Sequence, residues 1–480
     1  MVVVIGAGAT GLGVAWDLML RGVPVAVLDQ GDLGHGTSGR FHGLLHSGAR
    51  YVLTDAVAAR QCQTENLRLR QVAAPYIEST GGLFAASPDV SENLVQNWLQ
   101  GCHDAKIPVA PASPVQGMNA QWKRIYEVND GVINGYQLLQ ALARGIRQGG
   151  GQILTHRRVV GARPMKGKIH TIVMEGPDGL EEMRADAVVN AAGPWAGHVA
   201  SLWSDPLPLT LSRGIMLLFS HRQTPKVINR LDVPGDGDIL VPHHHISIWG
   251  TTDTETDSPK APTPSHAEVA HLMERGLAMF PDMGEWRVLR SFSGVRPLYR
   301  APGNLARETR HISRDFVVLD HPLKGAFSVI GGKWTTYRLM AEQVADRVAA
   351  YLHYATPCQT GSVPLPLANA VGVGADPLLC ECESVSKSQL RAFEGLSLSD
   401  LRTRTWFGMG PCQGTFCGHR VMQWRSHQIG EEAASKELAA FREERERGMC
   451  AALWGDNAVE WLLQRNIRFQ SLGESQRADD

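Results

Sequence analysis

The start of the chain constrains the fold more than any other segment, because a strand, a glycine turn, a helix and a second strand follow one another without interruption. The apolar run Val2–Ile5 leads into a G-x-G-x-x-G turn made by Gly6, Gly8 and Gly11. Apolar residues at helical spacing then extend to Met19, and a second apolar run ends at Leu28. This order predicts a Rossmann-like α/β unit with parallel strands.

The turn and its flanks suit a bound pyrophosphate. Gly6 permits the tight turn, Gly8 lets the pyrophosphate approach the backbone, and Gly11 packs the helix against the strand. Free N–H groups at the helix N-terminus attract an anion. Asp29, at the end of the second strand, is suited to binding a ribose hydroxyl. The pattern predicts dinucleotide binding, with a plain structural turn as the alternative, and it does not separate FAD from NAD.

The 480 residues allow two or three domains, and their charge is balanced. Lys and Arg total 47 and Asp and Glu total 48. Nucleic-acid binders and polybasic membrane anchors carry a basic excess, so neither class is expected. The apolar stretch Met1–Leu20 lacks a basic start and contains Asp17, which disfavours a signal peptide. We expect a cytoplasmic chain with no leader and no transmembrane span, which a partner could hold at the inner face of the cell membrane.

Four of the eight cysteines form a C-x-C pair and a C-x4-C pair that is crowded by glycines; they are Cys380, Cys382, Cys412 and Cys417. Four thiolates suit either a [2Fe–2S] cluster or a tetrahedral Zn²⁺ ion. Reduced thiols without a metal are the third alternative. So few cysteines in a chain of this length do not indicate a disulfide scaffold.

Four further motifs carry a resemblance to a known family. They are Gly36-Thr37-Ser38 with His46-Ser-Gly48-Ala-Arg50-Tyr51, then Asn190-Ala-Ala192-Gly193-Pro-Trp195, then Ser293-Gly-Val-Arg296-Pro, and finally Gly331-Gly332-Lys333-Trp-Thr335-Thr336-Tyr-Arg338. In this order they resemble the FAD-dependent glycerol-3-phosphate dehydrogenases, within the larger group of D-amino-acid-oxidase-like flavoproteins. The resemblance covers roughly residues 1–351.

The resemblance implies an α/β (α+β) fold in which a Rossmann-like FAD-binding domain is interleaved with an antiparallel-sheet substrate domain. The oxidoreductase would occupy residues 1–355, with FAD-binding parts at about 1–80, 130–205 and 315–355 and a substrate part at about 206–314. A Pro/Gly-rich linker is expected at 356–377, a small four-cysteine domain at 378–428 and a helical tail at 429–480. The mixed-charge run from Glu431 to Arg447 in that tail predicts a solvated helix face.

The family's motifs also imply the residues that bind FAD without a covalent bond. Carried over position by position, the cofactor-binding set is Gly6, Gly8, Gly11, Asp29, Thr37, Ser38, Ala192, Gly193, Trp195, Gly331, Gly332 and Thr335.

A small phosphate dianion requires convergent cations, and arginine binds phosphate in bidentate geometry. The cations that match the family's substrate site are Arg50, Arg296, Arg314 and Lys333, with surface salt bridges as the alternative. Histidine is the natural acceptor of a hydroxyl proton near neutral pH. His46 is the candidate, either as base or only as a hydrogen-bonding group, and Tyr51 adds a hydrogen bond. The implied activity is oxidation of sn-glycerol 3-phosphate to dihydroxyacetone phosphate by hydride transfer to flavin.

The C-terminal motifs extend the resemblance. The Gly-Pro-Cys-Gln-Gly-x-Phe-Cys run around Cys412 resembles the bacterioferritin-associated-ferredoxin-like [2Fe–2S] domain. The runs Phe441–Gly448 and Leu453–Gly455 resemble the end of the FAD-containing catalytic subunits of anaerobic sn-glycerol-3-phosphate dehydrogenases. Members of that type pass electrons to a membrane-associated iron–sulfur subunit, from which they reach quinone. The quinone pool and such an iron–sulfur protein are therefore the expected partners.

Two other functions stay open at the level of the sequence. A flavin oxidase or dehydrogenase of an amino acid or 2-hydroxy acid would share the fold, and a redox sensor would need no substrate. The run His243-His244-His245 suggests a metal site. However, alternate side chains of a strand point to opposite faces, and no cysteine or carboxylate accompanies the run at ligand spacing. An exposed strand end or a pocket wall is expected instead.

Overall fold

The computed structural model describes residues 1–204, 207–300, 309, 312–313, 315–368 and 376–470. Its N-terminal unit is built on a six-stranded sheet in which the first strand of the chain is central. The strands are parallel except at one edge, where the penultimate strand of the sheet in chain order runs antiparallel to the last. From edge to edge they are Phe316–Asp320, Ala326–Gly331, Ala187–Asn190, Val2–Ile5, Val25–Leu28 and Gln152–Leu154.

The helix after the glycine turn, Ala9–Leu20, packs between the helices Gly135–Gln148 and Tyr337–Leu352. Glycines allow the close approach on both sides. A Cβ added to Gly13 would lie 3.0 Å from the ring of Tyr337. The central strands are fully buried, as expected for a parallel sheet covered on both faces.

A nine-stranded, mostly antiparallel sheet forms the second layer of the described structure. Three of its strands come from residues 82–128, a segment that the sequence did not assign to the substrate domain. The strand Gly82–Ala86 pairs in parallel with Val227–Arg230 and so joins the two parts of the chain. In order the strands are Thr254–Thr256, Leu209–Phe219, Ile246–Gly250, Ile239–His243, Val227–Arg230, Gly82–Ala86, Arg124–Val128 and Ala110–Pro111, with Val288–Tyr299 also paired to Leu209–Phe219.

Smaller elements complete this part of the molecule. Two three-stranded sheets are formed by Arg158–Met165, Lys168–Gly176 and Gly179–Arg184, and by Leu44–Leu45, Gly131–Ile133 and Ile77–Glu78. The remaining helices before residue 353 are Ala56–Val72, Glu92–Asp104, Ala196–Ala200 and His266–Met279.

The four-cysteine segment forms a compact unit with its own core. A two-stranded sheet, Leu378–Cys380 with Val385–Ser386, packs with the helices Lys387–Arg391, Leu398–Thr405, Cys417–Ile429 and Glu431–Glu446. The last of these helices does not have the solvated character that its charges predict, because Leu438 and Phe441 are buried in the core of the cysteine unit. The tail predicted from residue 429 onward is therefore not separate in its packing.

The residues that follow this helix return to the large sheet. Ser291 donates its backbone N–H to the carbonyl of Gly448 at 2.7 Å, and Ala451 and Ala452 join the core beneath the sheet. The helix Gly455–Gln470 ends the described structure.

Part of the predicted linker is packed on the N-terminal unit. Leu365 is buried in the core of that unit, and the Tyr76 hydroxyl donates to the carbonyl of Pro366 at 2.6 Å. Residues 369–375 lie outside the described residues. Within the described part of the chain, no helix is long and apolar enough to cross a membrane. The predicted mixed α/β fold class is confirmed.

Candidate active site

One cavity of about 1230 Å³ extends from the glycine turn to the large sheet. It collects most of the residues predicted for the cofactor and the substrate, although they come from five distant segments. Those that line it are Gly6, Gly8, Asp29, Thr37, Ser38, His46, Arg50, Tyr51, Ala192, Gly193, Trp195, Arg296, Gly331, Gly332 and Lys333. Gly11 and Thr335 lie behind the wall, and Arg314 lies outside the described residues.

The glycine turn has the geometry that the motif predicts. Gly6 has φ +115, and a Cβ there would lie 2.5 Å from the carbonyl oxygen of Ala191. A Cβ on Gly11 would clash with the carbonyl oxygen of Gly6, so this glycine serves helix–strand packing. Ser38 Oγ accepts the N–H of Ala9 at 2.9 Å. The backbone of the turn is thereby exposed to the cavity.

Asp29 is oriented by two backbone donors at the end of its strand. Its carboxylate accepts the N–H of Ala7 at 2.6 Å and the N–H of Gly31 at 2.9 Å. Burial raises the pKa of Asp29, while these two N–H groups act in the opposite direction. The carboxylate is a fixed acceptor in the cavity wall, where a ligand hydroxyl could donate to it.

The opposite wall is shaped by Gly193, Gly331 and Gly332, which all have positive φ. A Cβ on Gly193 would meet nothing within 4 Å, because this glycine faces open space in the cavity. Thr37 is held by its hydroxyl, which donates to the carbonyl of Val295 at 2.5 Å. These segments leave room for a flat ligand against the backbone.

Two of the predicted cations are fixed at one end of the cavity. Arg50 donates from Nη2 to Asp238 Oδ2 at 3.1 Å, and both side chains are largely buried. Lys333 Nζ lies 4.8 Å from the ring centroid of Tyr51, a cation–π distance. Asp238 was not found by the sequence reasoning, because it lies 188 positions from its partner and in no recognised motif.

Arg296 approaches from the large sheet. Its Nη1 donates to Ser212 Oγ at 3.1 Å, and its Nη2 donates to the carbonyl of Thr252 at 3.1 Å and to the hydroxyl of Thr251. Asp253 lies 3.9 Å away. The guanidinium is therefore held in one orientation at the cavity wall.

His46 lies among aromatic rings, with ring centroids 5.8 Å from His42 and 5.3 Å from Tyr51. Its backbone N–H donates to Thr335 Oγ1 at 3.0 Å, so the buried Thr335 supports this residue without lining the cavity. Burial, followed by the neighbouring His42 and two cationic side chains, holds the pKa of His46 well below its usual value. The ring is neutral at pH 7 and can accept a proton.

The four clustered cysteines converge at a second site. Cys382 Sγ lies 3.7 Å from Cys380 Sγ and 3.9 Å from Cys412 Sγ, and Cys417 hydrogen-bonds the sulfurs of Cys380 and Cys412. Hydrogen bonds from Cys382 and Cys417 lower the pKa values of the Cys380 and Cys412 thiols. In the described part of the chain, no set of three or more His, Cys, Asp or Glu side chains forms a ready-made metal site.

Backbone N–H groups and glycines surround these sulfurs. The N–H groups of Gly408 and Glu383 reach Cys380, and those of Gly414 and Phe416 reach Cys412. A Cβ on Gly410 would lie 2.7 Å from Cys382 Sγ. Negative charge on the sulfurs would therefore be stabilised by donors already in place.

The histidine run differs from the expected exposed strand end. His243 is 5% exposed, and its ring stacks on Trp406 of the cysteine unit with centroids 5.0 Å apart. His244 stacks on the other two rings, at 4.6 Å from Trp406 and 5.0 Å from His243. The run thus forms a contact between the large sheet and the cysteine unit.

Comparison with known proteins agrees with this arrangement. Residues 1–338 match the family described as FAD dependent oxidoreductase. The chain is 34% identical to the A1 subunit of the anaerobic glycerol-3-phosphate dehydrogenase of Haloferax volcanii, over 99% of this chain and 91% of the relative. It is 33% identical to the corresponding catalytic chain of the anaerobic glycerol-3-phosphate dehydrogenase of Escherichia coli K12, over 96% of each chain.

Among solved structures, the glycerol-3-phosphate dehydrogenase of Bacillus halodurans complexed with FAD matches with a TM-score of 0.66 at 20% identity, over 93% of this chain and 94% of the other. Glycine oxidase of Geobacillus kaustophilus matches with a TM-score of 0.59 at 18% identity, over 77% of this chain and 99% of the other, and so shares the fold. The chain belongs to the FAD-dependent oxidoreductases and, within them, to the family of the anaerobic glycerol-3-phosphate dehydrogenase A subunits. The resemblance drawn from the sequence motifs is thereby confirmed.

Proposed function

We propose that this protein is an FAD-dependent dehydrogenase that oxidises sn-glycerol 3-phosphate to dihydroxyacetone phosphate. The observation that carries the proposal is the convergence of Arg50, Arg296 and Lys333 with the neutral His46 in one cavity that also contains the glycine turn. A phosphate dianion needs several cations, whereas one arginine often suffices for a carboxylate.

The residues present fit FAD. The open backbone of the glycine turn and the helix N-terminus suit the pyrophosphate, and Asp29 suits a ribose hydroxyl. The glycine-lined wall at Gly193 and Gly331 leaves space for a flat ring system. When bound, the flavin supplies the hydride acceptor.

The protein's own groups would bind and orient the substrate. Arg296 and Arg50 are held by partners on their far sides and can present donors to the phosphate. His46 is the group we assign to receive the hydroxyl proton, since its ring is uncharged in this environment. Lys333 adds positive potential beside Tyr51, which favours an oxygen that is losing its proton.

We propose in addition that the four cysteines hold a [2Fe–2S] cluster. The sulfur–sulfur distances of 3.7 and 3.9 Å are close to the value of about 3.8 Å expected for two thiolates that share one tetrahedral metal ion with bonds of about 2.3 Å. The N–H groups directed at Cys380 and Cys412 suit an anionic centre. Zinc is the alternative, which metal analysis and EPR distinguish.

The relatives are named as subunits, which supports a partner for this chain as well. We propose that this partner is a separate iron–sulfur protein, that electrons pass through it to quinone, and that it attaches the complex to the inner face of the cell membrane. Residues 1–355 would carry out the hydride chemistry and the cysteine unit the exit of electrons.

The first test mixes the purified flavoprotein anaerobically with sn-glycerol 3-phosphate and follows the flavin absorbance. Bleaching is expected, and glycine, a 2-hydroxy acid and free glycerol serve as controls. Bleaching by the amino or hydroxy acid but not by glycerol phosphate would replace the proposed substrate. No bleaching by any of these compounds would favour a redox sensor.

A second test separates the two sites. Cys382→Ser should remove the cluster and slow electron transfer to an external acceptor, while bleaching by glycerol phosphate stays nearly intact. The matched control is Cys450→Ser, at the exposed cysteine outside the cluster. A loss of bleaching in Cys382→Ser alone would show that the two functions do not separate.

A further inference from the structure

The cysteine unit is firmly docked against the rest of the molecule. Arg404 forms a buried ion pair with Asp32, with Nε 3.1 Å from Oδ2. Gln140 donates from Nε2 to the carbonyl of Arg404 at 2.8 Å. The segment that leads into the second cysteine pair is therefore fixed to the N-terminal unit, although a weakly patterned linker precedes the cysteine unit in sequence.

Trp406 lies at the centre of this interface. Its ring stacks on those of His243 and His244, with interplanar angles of 29° and 30°, and the edge of Tyr136 contacts it at a centroid distance of 6.1 Å. All three histidine and tryptophan rings come from segments that no motif of the family includes. The stack is thus a specific feature of this chain's interface.

On one side the stack reaches the cavity. A Cβ added to Gly43 would lie 2.7 Å from His243 Cδ2, so the backbone of Gly43 is in direct contact with this ring. The preceding residue, His42, lines the cavity and its ring neighbours that of His46. Burial lowers the pKa values of His42 and His243 to about 3, so both rings are neutral at pH 7.

On the other side the stack reaches the sulfurs. Two residues after Trp406, the N–H of Gly408 hydrogen-bonds Cys380 Sγ. Glu383, which directly follows Cys382, approaches the His244 ring, with Oε2 4.0 Å from Nδ1. The contact sequence from the cavity to the cysteines therefore runs through neutral rings and one backbone hydrogen bond.

We propose that the stack of His243, His244 and Trp406 is the route by which electrons pass from the flavin cavity to the four-cysteine centre of the same chain. The proposal rests on the proposed function above. Reduced flavin is oxidised and the iron–sulfur centre is reduced by one electron at a time. No bond between heavy atoms forms or breaks, and the protons of the reduced flavin leave to solvent. The second electron follows once the centre has passed the first to a one-electron acceptor.

The test uses the full-length protein loaded with FAD and iron. After anaerobic mixing with glycerol 3-phosphate, absorbance reports flavin bleaching and freeze-quench EPR reports the reduced cluster. Trp406→Leu should bleach at the wild-type rate but lose the fast phase of cluster reduction. Trp406→Phe should retain most of that phase because it keeps an aromatic ring. His243→Leu removes a ring from the sheet side and should behave like Trp406→Leu.

The matched control is Trp424→Leu, which makes the same change at a tryptophan packed in the core of the cysteine unit, outside the stack. Its cluster reduction should follow that of the wild type. Dithionite should reduce the cluster fully in every variant, which shows that the centre is present.

Three results would overturn the route. The first is wild-type cluster reduction in Trp406→Leu and His243→Leu, and the second is equal slowing in Trp424→Leu. The third is slowing that always accompanies lost hydrogen-exchange protection of the helix Leu398–Thr405, since the stack would then serve docking alone. Zinc in place of iron would also exclude the route, whereas absent bleaching in the wild type would overturn the proposed function itself.

Discussion

Arg296 shows how a single side chain in the cavity is prepared for its ligand. Its guanidinium is held by Ser212, Thr251 and the carbonyl of Thr252, so little rotational freedom is left to lose on binding. The motif around this arginine was enough to predict its presence in the site. Its supporting partners lie 44 to 84 positions away and could not be read from the sequence.

Arg296→Ala should weaken substrate binding while flavin content stays unchanged. Loss of one charge-assisted phosphate contact costs about 1.5–3 kcal/mol, or roughly 10- to 150-fold in KM. Arg296→Lys should recover only part of this loss, because an ammonium cannot make the bidentate contact. The control is Arg300→Ala on the segment after the same strand, where the side chain bonds Thr210 outside the cavity lining. Wild-type kinetics of Arg296→Ala at subsaturating substrate would exclude the phosphate contact.

Gly8→Val should produce folded protein without flavin. The φ of Gly8 is −82, so the backbone tolerates a side chain, but a Cβ would lie 2.9 Å from Ser38 Oγ where the pyrophosphate is expected to approach. The measurement is the flavin-to-protein ratio after purification. Gly161→Val is the control, because a Cβ there makes an ordinary contact of 3.7 Å with Val173. A full flavin complement in Gly8→Val would contradict the assignment.

At the scale of elements, the helix Glu431–Glu446 shows where charge patterning is a poor guide. Its acids and bases indicate a solvated helix, yet Phe441 is 1% exposed and stacks on Phe407 with ring centroids 5.0 Å apart. Gly408 and Gly414 accommodate the ring, since a Cβ on either would lie 2.6 Å from it. A phenylalanine in a charged helix and two glycines in a cysteine loop gave no sign in the sequence that they would pack together.

Phe441→Ala should loosen the cysteine unit. Truncating a fully buried phenylalanine costs about 3–5 kcal/mol, and hydrogen exchange of the helix Cys417–Ile429 should report the loss. Phe416→Ala is the control in the same unit, since Phe416 is 53% exposed and exposed substitutions usually change stability by less than about 0.5 kcal/mol. Equal protection in both variants would show that Phe441 does not support this core.

The large sheet marks a second limit of sequence reasoning. Its strands Gly82–Ala86 and Arg124–Val128 come from a segment between two predicted FAD-binding parts, and the first pairs with Val227–Arg230. Alternating or apolar runs identify strands but do not say which distant strand each will meet. By contrast, the strand–turn–helix at the N-terminus was predicted well, because its elements are adjacent in sequence and joined by a motif with one geometry.

For the whole molecule, buried histidines make stability depend on pH. Burial lowers the pKa values of His42 and His243 to about 3 and that of His46 well below its usual value. Below the unfolded pKa of about 6.5, the unfolded chain binds protons that the folded chain does not. Stability contributed by each neutral histidine is therefore lost as pH falls, by up to about 1.4 kcal/mol per pH unit.

We expect the midpoint of thermal unfolding to fall between pH 7 and pH 5, and less steeply in His243→Phe. This variant keeps an aromatic ring on Trp406 but removes the titrating group. His103→Gln, at a side chain that is 84% exposed, should leave the slope unchanged. Identical slopes for the wild type and His243→Phe would contradict the role of this histidine.

The central position of the first strand has a consequence for how the chain is made. Val2–Ile5 pairs with Val25–Leu28 on one side, but its other neighbour is Ala187–Asn190. At about 5–20 residues per second, the ribosome needs roughly 10–40 s to deliver that neighbour. For that time a fully apolar strand has one open edge, which is the kind of surface that nascent-chain chaperones shield. Because the next strand of the sheet, Ala326–Gly331, comes later still, the nucleotide-binding unit is begun first and completed late in synthesis.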